Sequence, residues 1–256
     1  MCLILIACGA HPDFPLVVAA NRDEYYRRPT AQAAYWTDHQ HILAGRDLEC
    51  MGTWLGVTRS GRFAALTNFR DPRERKTDAP SRGHLVSDFL ASDLDPPSYL
   101  DAIRLGAARY NGFNLLAGDA DGVFCYSNRE STVQALSPGV HGLSNHLLDT
   151  PWPKLASAKI AFAKALTGLP TQPPFFDLLA DREIVPDAHL PETGVPLDWE
   201  RILSAVFVSS PAYGTRASTL LTMHREGPVT LTERSFGPGA TPLGEVQEGF
   251  QRSDGA

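Results

Sequence analysis

Nine uncharged residues, Cys2 to Ala10, follow Met1, and His11-Pro12-Asp13-Phe14-Pro15 ends them. A run this short and apolar reads as one buried strand. It falls far short of the roughly 18 residues that a transmembrane helix needs. Leu5-Ile6-Ala7-Cys8 resembles a lipoprotein cleavage box, but a secretory signal requires a basic segment and a longer apolar run ahead of it. The expectation is a cytoplasmic protein whose chain enters its core at once. A second apolar run, Leu16 to Ala20, follows the Pro/Asp turn, so the two form a hairpin. Its second strand ends in the polar block Asn21-Arg22-Asp23-Glu24.

Further hairpins are expected at 53–58 with 62–67 around Ser60-Gly61, and at 113–117 with 122–126 around Asp119-Ala120-Asp121. Helical periodicity marks 84–91, 98–109 and 154–166; Pro151 and Pro153 stand at the start of the last, where a missing N–H is harmless. The Pro-rich stretch 171–174 and the loop 185–196 lead to a final strand group at 205–208, 217–223 and 229–233, with a turn at 225–228. Strands at both ends with helices between fit antiparallel sheets covered by helices, an α+β arrangement rather than an alternating parallel one. At 256 residues a single domain is expected, with 238–256 an edge extension or tail.

A formal net charge of −6 argues against a nucleic-acid partner. Cys2, Cys8, Cys50 and Cys125 show no CxxC spacing, and there is no HExxH, so neither a metal site nor a cofactor is expected. A core of this size needs no disulfides, which suits a reducing compartment.

Cys2 becomes the N-terminal residue if Met1 is removed. One residue then carries a nucleophile, a thiol of pKa about 8.5, and a base, an α-amine of pKa about 7.7–8.0. Position alone leaves Cys2 open between that role and a small strand residue. The hairpin sets positions 21–24 across from it, where an acidic group can orient the amine. Side-chain alternation allows only one of Asp23 and Glu24 to do so, and Glu24 is read as solvated.

Met1-Cys2-Leu3-Ile4, Asn21-Arg22-Asp23-Glu24, Thr67-Asn68-Phe69-Arg70, Leu143-Ser144-Asn145 with Leu148-Asp149-Thr150-Pro151-Trp152-Pro153-Lys154, and Tyr213-Gly214-Thr215-Arg216 together resemble the NRDE family, that of transport and Golgi organisation protein 2. That family in turn resembles the choloylglycine hydrolase and penicillin V acylase branch of the N-terminal nucleophile hydrolases. The resemblance implies an αββα four-layer sandwich and amide cleavage by Cys2. It implies Asp23 as the partner of the amine, Asn145 as the oxyanion-hole amide, Arg216 as the charge that lowers the thiol pKa, and Asn68 as a possible second amide. Asn21 and Arg22 take supporting places. The hydrolases carry an arginine three residues before the aspartate, where this chain has Ala20.

Arg70, Arg73, Arg75, Lys76 and Arg82 read as a solvated loop, with carboxylate or phosphate binding at the mouth of the site as the alternative. His141 and His146 flank Asn145 as structural residues or proton carriers, Trp152 reads as core, and Asp149 and Thr150 as N-cap residues. Two functions follow from the resemblance. One is a hydrolase or acyltransferase acting on an amide or thioester of a small molecule. The other is a carrier on the same fold, related to haem or to acyl-coenzyme A and lipid, although no Cys-Pro pair or CxxCH supports haem ligation.

Overall fold

The first hairpin forms as β1 (Cys2–Cys8) and β2 (Leu16–Tyr25), with Cys8 opposite Leu16 and Cys2 opposite Arg22. The computed structural model describes residues 2–252. After the hairpin come β3 (Thr30–Tyr35), β4 (Ile42–Asp47), β5 (Leu55–Thr58), β6 (Phe63–Asn68), α1 (Gly83–Ala91) and α2 (Pro96–Gly106). Next are β7 (Phe113–Asp119), β8 (Gly122–Ser127), β9 (Thr132–Ala135), β10 (Gly139–Leu143), α3 (Pro153–Leu166), α4 (Pro173–Leu179) and α5 (Leu197–Leu203). The chain closes with β11 (Tyr213–Met223), β12 (Val229–Phe236) and β13 (Pro242–Phe250).

One antiparallel sheet runs β10-β1-β2-β11-β12-β13 and the other β3-β4-β5-β6-β7-β8-β9. Alternation along β1 explains the layering. Ile4 and Ile6 join Val18 and Leu221 against Leu43, Val57, Phe63 and Leu116 of the second sheet. Leu3, Leu5 and Val17 point the other way, onto Leu155 and Phe162 of α3 and Phe175 and Leu179 of α4. The second sheet is covered in turn by Leu85 and Phe89 of α1 and Leu100 of α2. The result is the αββα sandwich, and β1 reads as an unbroken apolar run because both of its faces are buried.

Several elements differ from the sequence reading. β2 does not stop at Ala20 but continues through Asn21-Arg22-Asp23-Glu24, paired with β1 on one side and β11 on the other. Residues 205–208 are not a strand. They are buried irregular chain between α5 and β11, held by Val208 N–H to Thr215 Oγ1 at 2.9 Å, so their apolar character reflects burial without pairing. The helix expected at 98–109 begins at Pro96, and its last turn is the tighter 3₁₀ form. Asp149 and Thr150 do not cap α3. Trp152 takes the N-cap place without a side-chain cap, and Asp149 accepts from Gly142 N–H, His141 Nδ1 and Lys159 Nζ instead. Beyond Gly237, β13 pairs with β12 as the edge of the first sheet.

Candidate active site

Cys2 and Arg22 are direct partners across the β1–β2 ladder, so their side chains share the face that looks toward the second sheet. There they line a cavity of about 410 Å³ together with Glu24, Trp54, Asn68 and Arg82. The Arg22 guanidinium lies 4.1 Å from the Trp54 ring centroid and donates to Thr30 Oγ1 at 3.0 Å. Burial pushes the Cys2 thiol up from its ordinary value. The Asp23 carboxylate adds to the rise, while the Arg22 charge and the Asp23 backbone N–H oppose it.

Asp23, one residue along, faces the helix side of the sheet and is 2% exposed. Its Oδ1 accepts from Thr215 Oγ1 at 2.8 Å, and its backbone carbonyl accepts from Tyr213 Oη at 3.0 Å. Burial raises its carboxyl above the usual carboxylate range, and Lys154, the Thr215 hydrogen bond and Arg70 hold the rise down. Glu24 returns to the cavity side and accepts from the N–H of Tyr25. The alternation expected for these two acids is present.

Asn145 lies two residues past the end of β10, whose last residue, Leu143, pairs with Ile4. Its side chain is fully buried. Arg70 orients it twice, donating from Nη2 to Asn145 Oδ1 at 3.2 Å and from its backbone N–H to Asn145 O at 2.8 Å. The amide nitrogen donates to Asn68 O at 3.0 Å, which engages one of its two hydrogens. Asn68, at the end of β6, lines both the Cys2 cavity and an adjoining one of about 610 Å³.

Arg216 stands elsewhere than the thiol. It occupies the bulge of β11 between Thr215 and Ala217, and Nη1 donates to the carbonyls of Tyr25, Tyr26 and Arg28 at 3.0–3.2 Å. It braces the β2–β3 turn, and the arginine charges that act on the thiol are those of Arg22 and Arg82. Asn21 points away from the cavity, donating to Leu179 O and Val206 O and accepting from Ser218 Oγ. It ties β2 to α4 and to β11.

The sequence reading passed over a buried charge group behind Asp23. Arg70 is not solvated but ion-paired with Glu200 at 2.9 Å, both side chains at most 5% exposed. Lys154 is buried beside them and donates from Nζ to Leu203 O at 2.8 Å. Their one signal is position, since Arg70 and Lys154 each close a motif that also holds Asn68 or Trp152. His146 accepts or donates at Thr150 Oγ1, 2.9 Å away, and packs on Phe69 and Trp152. Among the described residues, no three His, Cys, Asp or Glu side chains are grouped to hold a metal. No helix there is long and apolar enough to cross a membrane.

Two facing antiparallel sheets with helices outside, and a cysteine at the head of an interior strand, define the N-terminal nucleophile hydrolase-type fold. A mutant conjugated bile acid hydrolase from Clostridium perfringens superposes with a TM-score of 0.52 over 100% of this chain and 94% of its own, at 9% identity. The chain belongs to the transport and Golgi organisation 2 family, whose model matches residues 1–238. The Mus musculus homologue of that name is 40% identical, over 92% of this chain and 93% of its own length. The Bos taurus homologue is 41% identical over the same shares.

Proposed function

We propose that the chain is a cysteine N-terminal nucleophile enzyme that hydrolyses or transfers the acyl group of a small-molecule amide or thioester. The observation that carries this is Cys2 lining a cavity with its cross-strand partner Arg22 and with Asn68, whose carbonyl accepts from the Asn145 amide, and Asp23 buried one residue beyond Arg22. With Met1 removed, the Cys2 amine takes the thiol proton and the thiolate attacks the carbonyl carbon. The second hydrogen of the Asn145 amide, with a backbone N–H, stabilises the oxyanion. The ammonium then protonates the leaving nitrogen or sulfur, and the bond to it breaks. Water or another acceptor, deprotonated by the same amine, releases the acyl group and regenerates the thiol.

Intact mass, before and after exposure to a panel of amides and acyl-coenzyme A esters, tests this. The expected result is a chain lacking methionine, with an acyl adduct mapping to Cys2. Retention of methionine in the native host removes the mechanism.

A second reading, a carrier for an acyl-coenzyme A or lipid-like ligand in the cytoplasm, is favoured by the raised thiol and by the larger adjoining cavity. It predicts reversible binding with no adduct.

A further inference from the structure

Arg22 is 6% exposed, and no carboxylate among the described residues forms an ion pair with it. A guanidinium buried in this way needs a counter-charge, because taking a charge out of water is costly. The Trp54 ring, 4.1 Å away, fixes the plane of the Arg22 fork. Nη1 donates to Thr30 Oγ1 at 3.0 Å, the guanidinium's one hydrogen bond among the described residues. Nε and Nη2 are left over, and neither is sealed off from the cavity. Arg82 repeats the pattern in the same cavity: Nη1 donates to Gly112 O at 2.8 Å, and none of the described acids pairs with it. The acids nearby are otherwise placed. Asp47 and Glu49 pair with Arg28, and Asp23 turns to the helix side. Glu24, which holds the Tyr25 N–H, is then the one acid of this cavity to set against Arg22, Arg82 and the exposed Arg75.

We propose that Arg22 and Arg82 form a carboxylate subsite beside the thiol, so that the molecule processed in this cavity carries a free carboxylate a few bonds from the carbonyl that Cys2 attacks. With Nη1 engaged, each guanidinium offers its Nε–Nη2 edge, a pair of parallel N–H groups that matches the two oxygens of a carboxylate. Arg22 is the direct cross-strand partner of Cys2, and the Cβ atoms of such partners stand about 5 Å apart. An anion seated on Arg22 is therefore close enough to the thiol to belong to the same small molecule. A phosphate at the far end of a long leaving group does not reach that edge while its acyl carbon sits on Cys2. The reacting carbonyl rests on the N-terminal nucleophile reading; the anion site does not.

The test compares anionic iodoacetate with neutral iodoacetamide at Cys2, resolved by peptide mapping. Their rate ratio cancels the thiolate fraction, so a changed thiol pKa does not enter it. The ratio is expected to fall about tenfold or more in Arg22→Gln and in Arg82→Gln. Arg22→Lys, which keeps the charge but not the paired N–H edge, is expected to lose most of the preference. An unchanged ratio in a folded Gln variant, or a wild-type ratio in Arg22→Lys, overturns the subsite. Should the variants not fold, the wild type decides. Succinate is expected to slow iodoacetamide labelling of Cys2 saturably, while its neutral diamide does not. Equal protection by the two, or stronger protection by inorganic phosphate than by succinate, overturns the carboxylate assignment. A ratio that collapses in the variants while the mass screen finds no acyl adduct sinks the nucleophile reading and upholds the anion site. An acyl adduct at Cys2 with indifferent variants removes this inference alone.

Discussion

Asn145 is where the two functional readings part. Its Oδ1 and backbone carbonyl are fixed by Arg70. In acyl transfer it acts on an oxygen charged only in the transition state. Asn145→Ala is then expected to slow single-turnover acylation by about 10²–10³-fold with ligand affinity in calorimetry nearly unchanged. Loss of affinity with an unchanged rate per bound molecule supports the carrier. At this scale strand alternation was legible: Asp23 and Glu24 do face opposite sides of β2, as the sequence pattern required. The sequence reading misassigned the charge at the thiol, because a one-residue bulge turns Arg216 onto the β2–β3 carbonyls, and no pattern in Tyr213-Gly214-Thr215-Arg216 announces a bulge. Arg70 and Lys154 were hidden for a different reason. Charged side chains are buried only when satisfied, and the partners, Glu200 for Arg70 and the Leu203 carbonyl for Lys154, lie far from them in sequence.

Elements with both faces buried or with clean periodicity were legible: β1, the hairpins β5–β6 and β7–β8, and the helices α1 and α3. β3 was not, because its alternation is broken by a bulge between Ala31 and Ala34, and the four-residue β9 is mostly exposed. β10 contains Gly142, where a side chain would meet Leu155 Cδ1 at 2.6 Å; strand propensity is sacrificed there for close approach of α3. α4 and α5 are seven residues each and lie in Pro-rich sequence that reads as loop. The sheets are also joined by one buried acid: Glu233 of β12 accepts from the Ala33 N–H of β3 at 2.8 Å. Burial raises its carboxyl from 4.5 to about 7. Its protonated form thus favours the fold, with that contribution complete below about pH 4.5 and lost as pH rises to 7. Glu233→Gln keeps the acceptor without the charge. It is expected to raise stability by up to about 3 kcal/mol above pH 7 and to leave it unchanged near pH 4, as read from denaturant midpoints across pH.

Across the whole molecule, stability is graded from the middle of the sandwich outward. β1 and β2 are paired on both sides and covered on both faces, while β9 and β13 have one neighbour and mostly exposed side chains. Amide exchange is expected to be slowest in β1 and β2 and faster by orders of magnitude in β9 and β13. Uniform protection across both sheets would contradict that grading. The same arrangement has a consequence in time. Cys2 is made more than two hundred residues before β11 closes the far side of β2. At about 5–20 residues per second, that interval is on the order of ten seconds or more. During it the thiol belongs to a nascent chain, within reach of the enzymes that trim new proteins and of any oxidant nearby. That exposure ends only when the sheet that shelters Cys2 has formed.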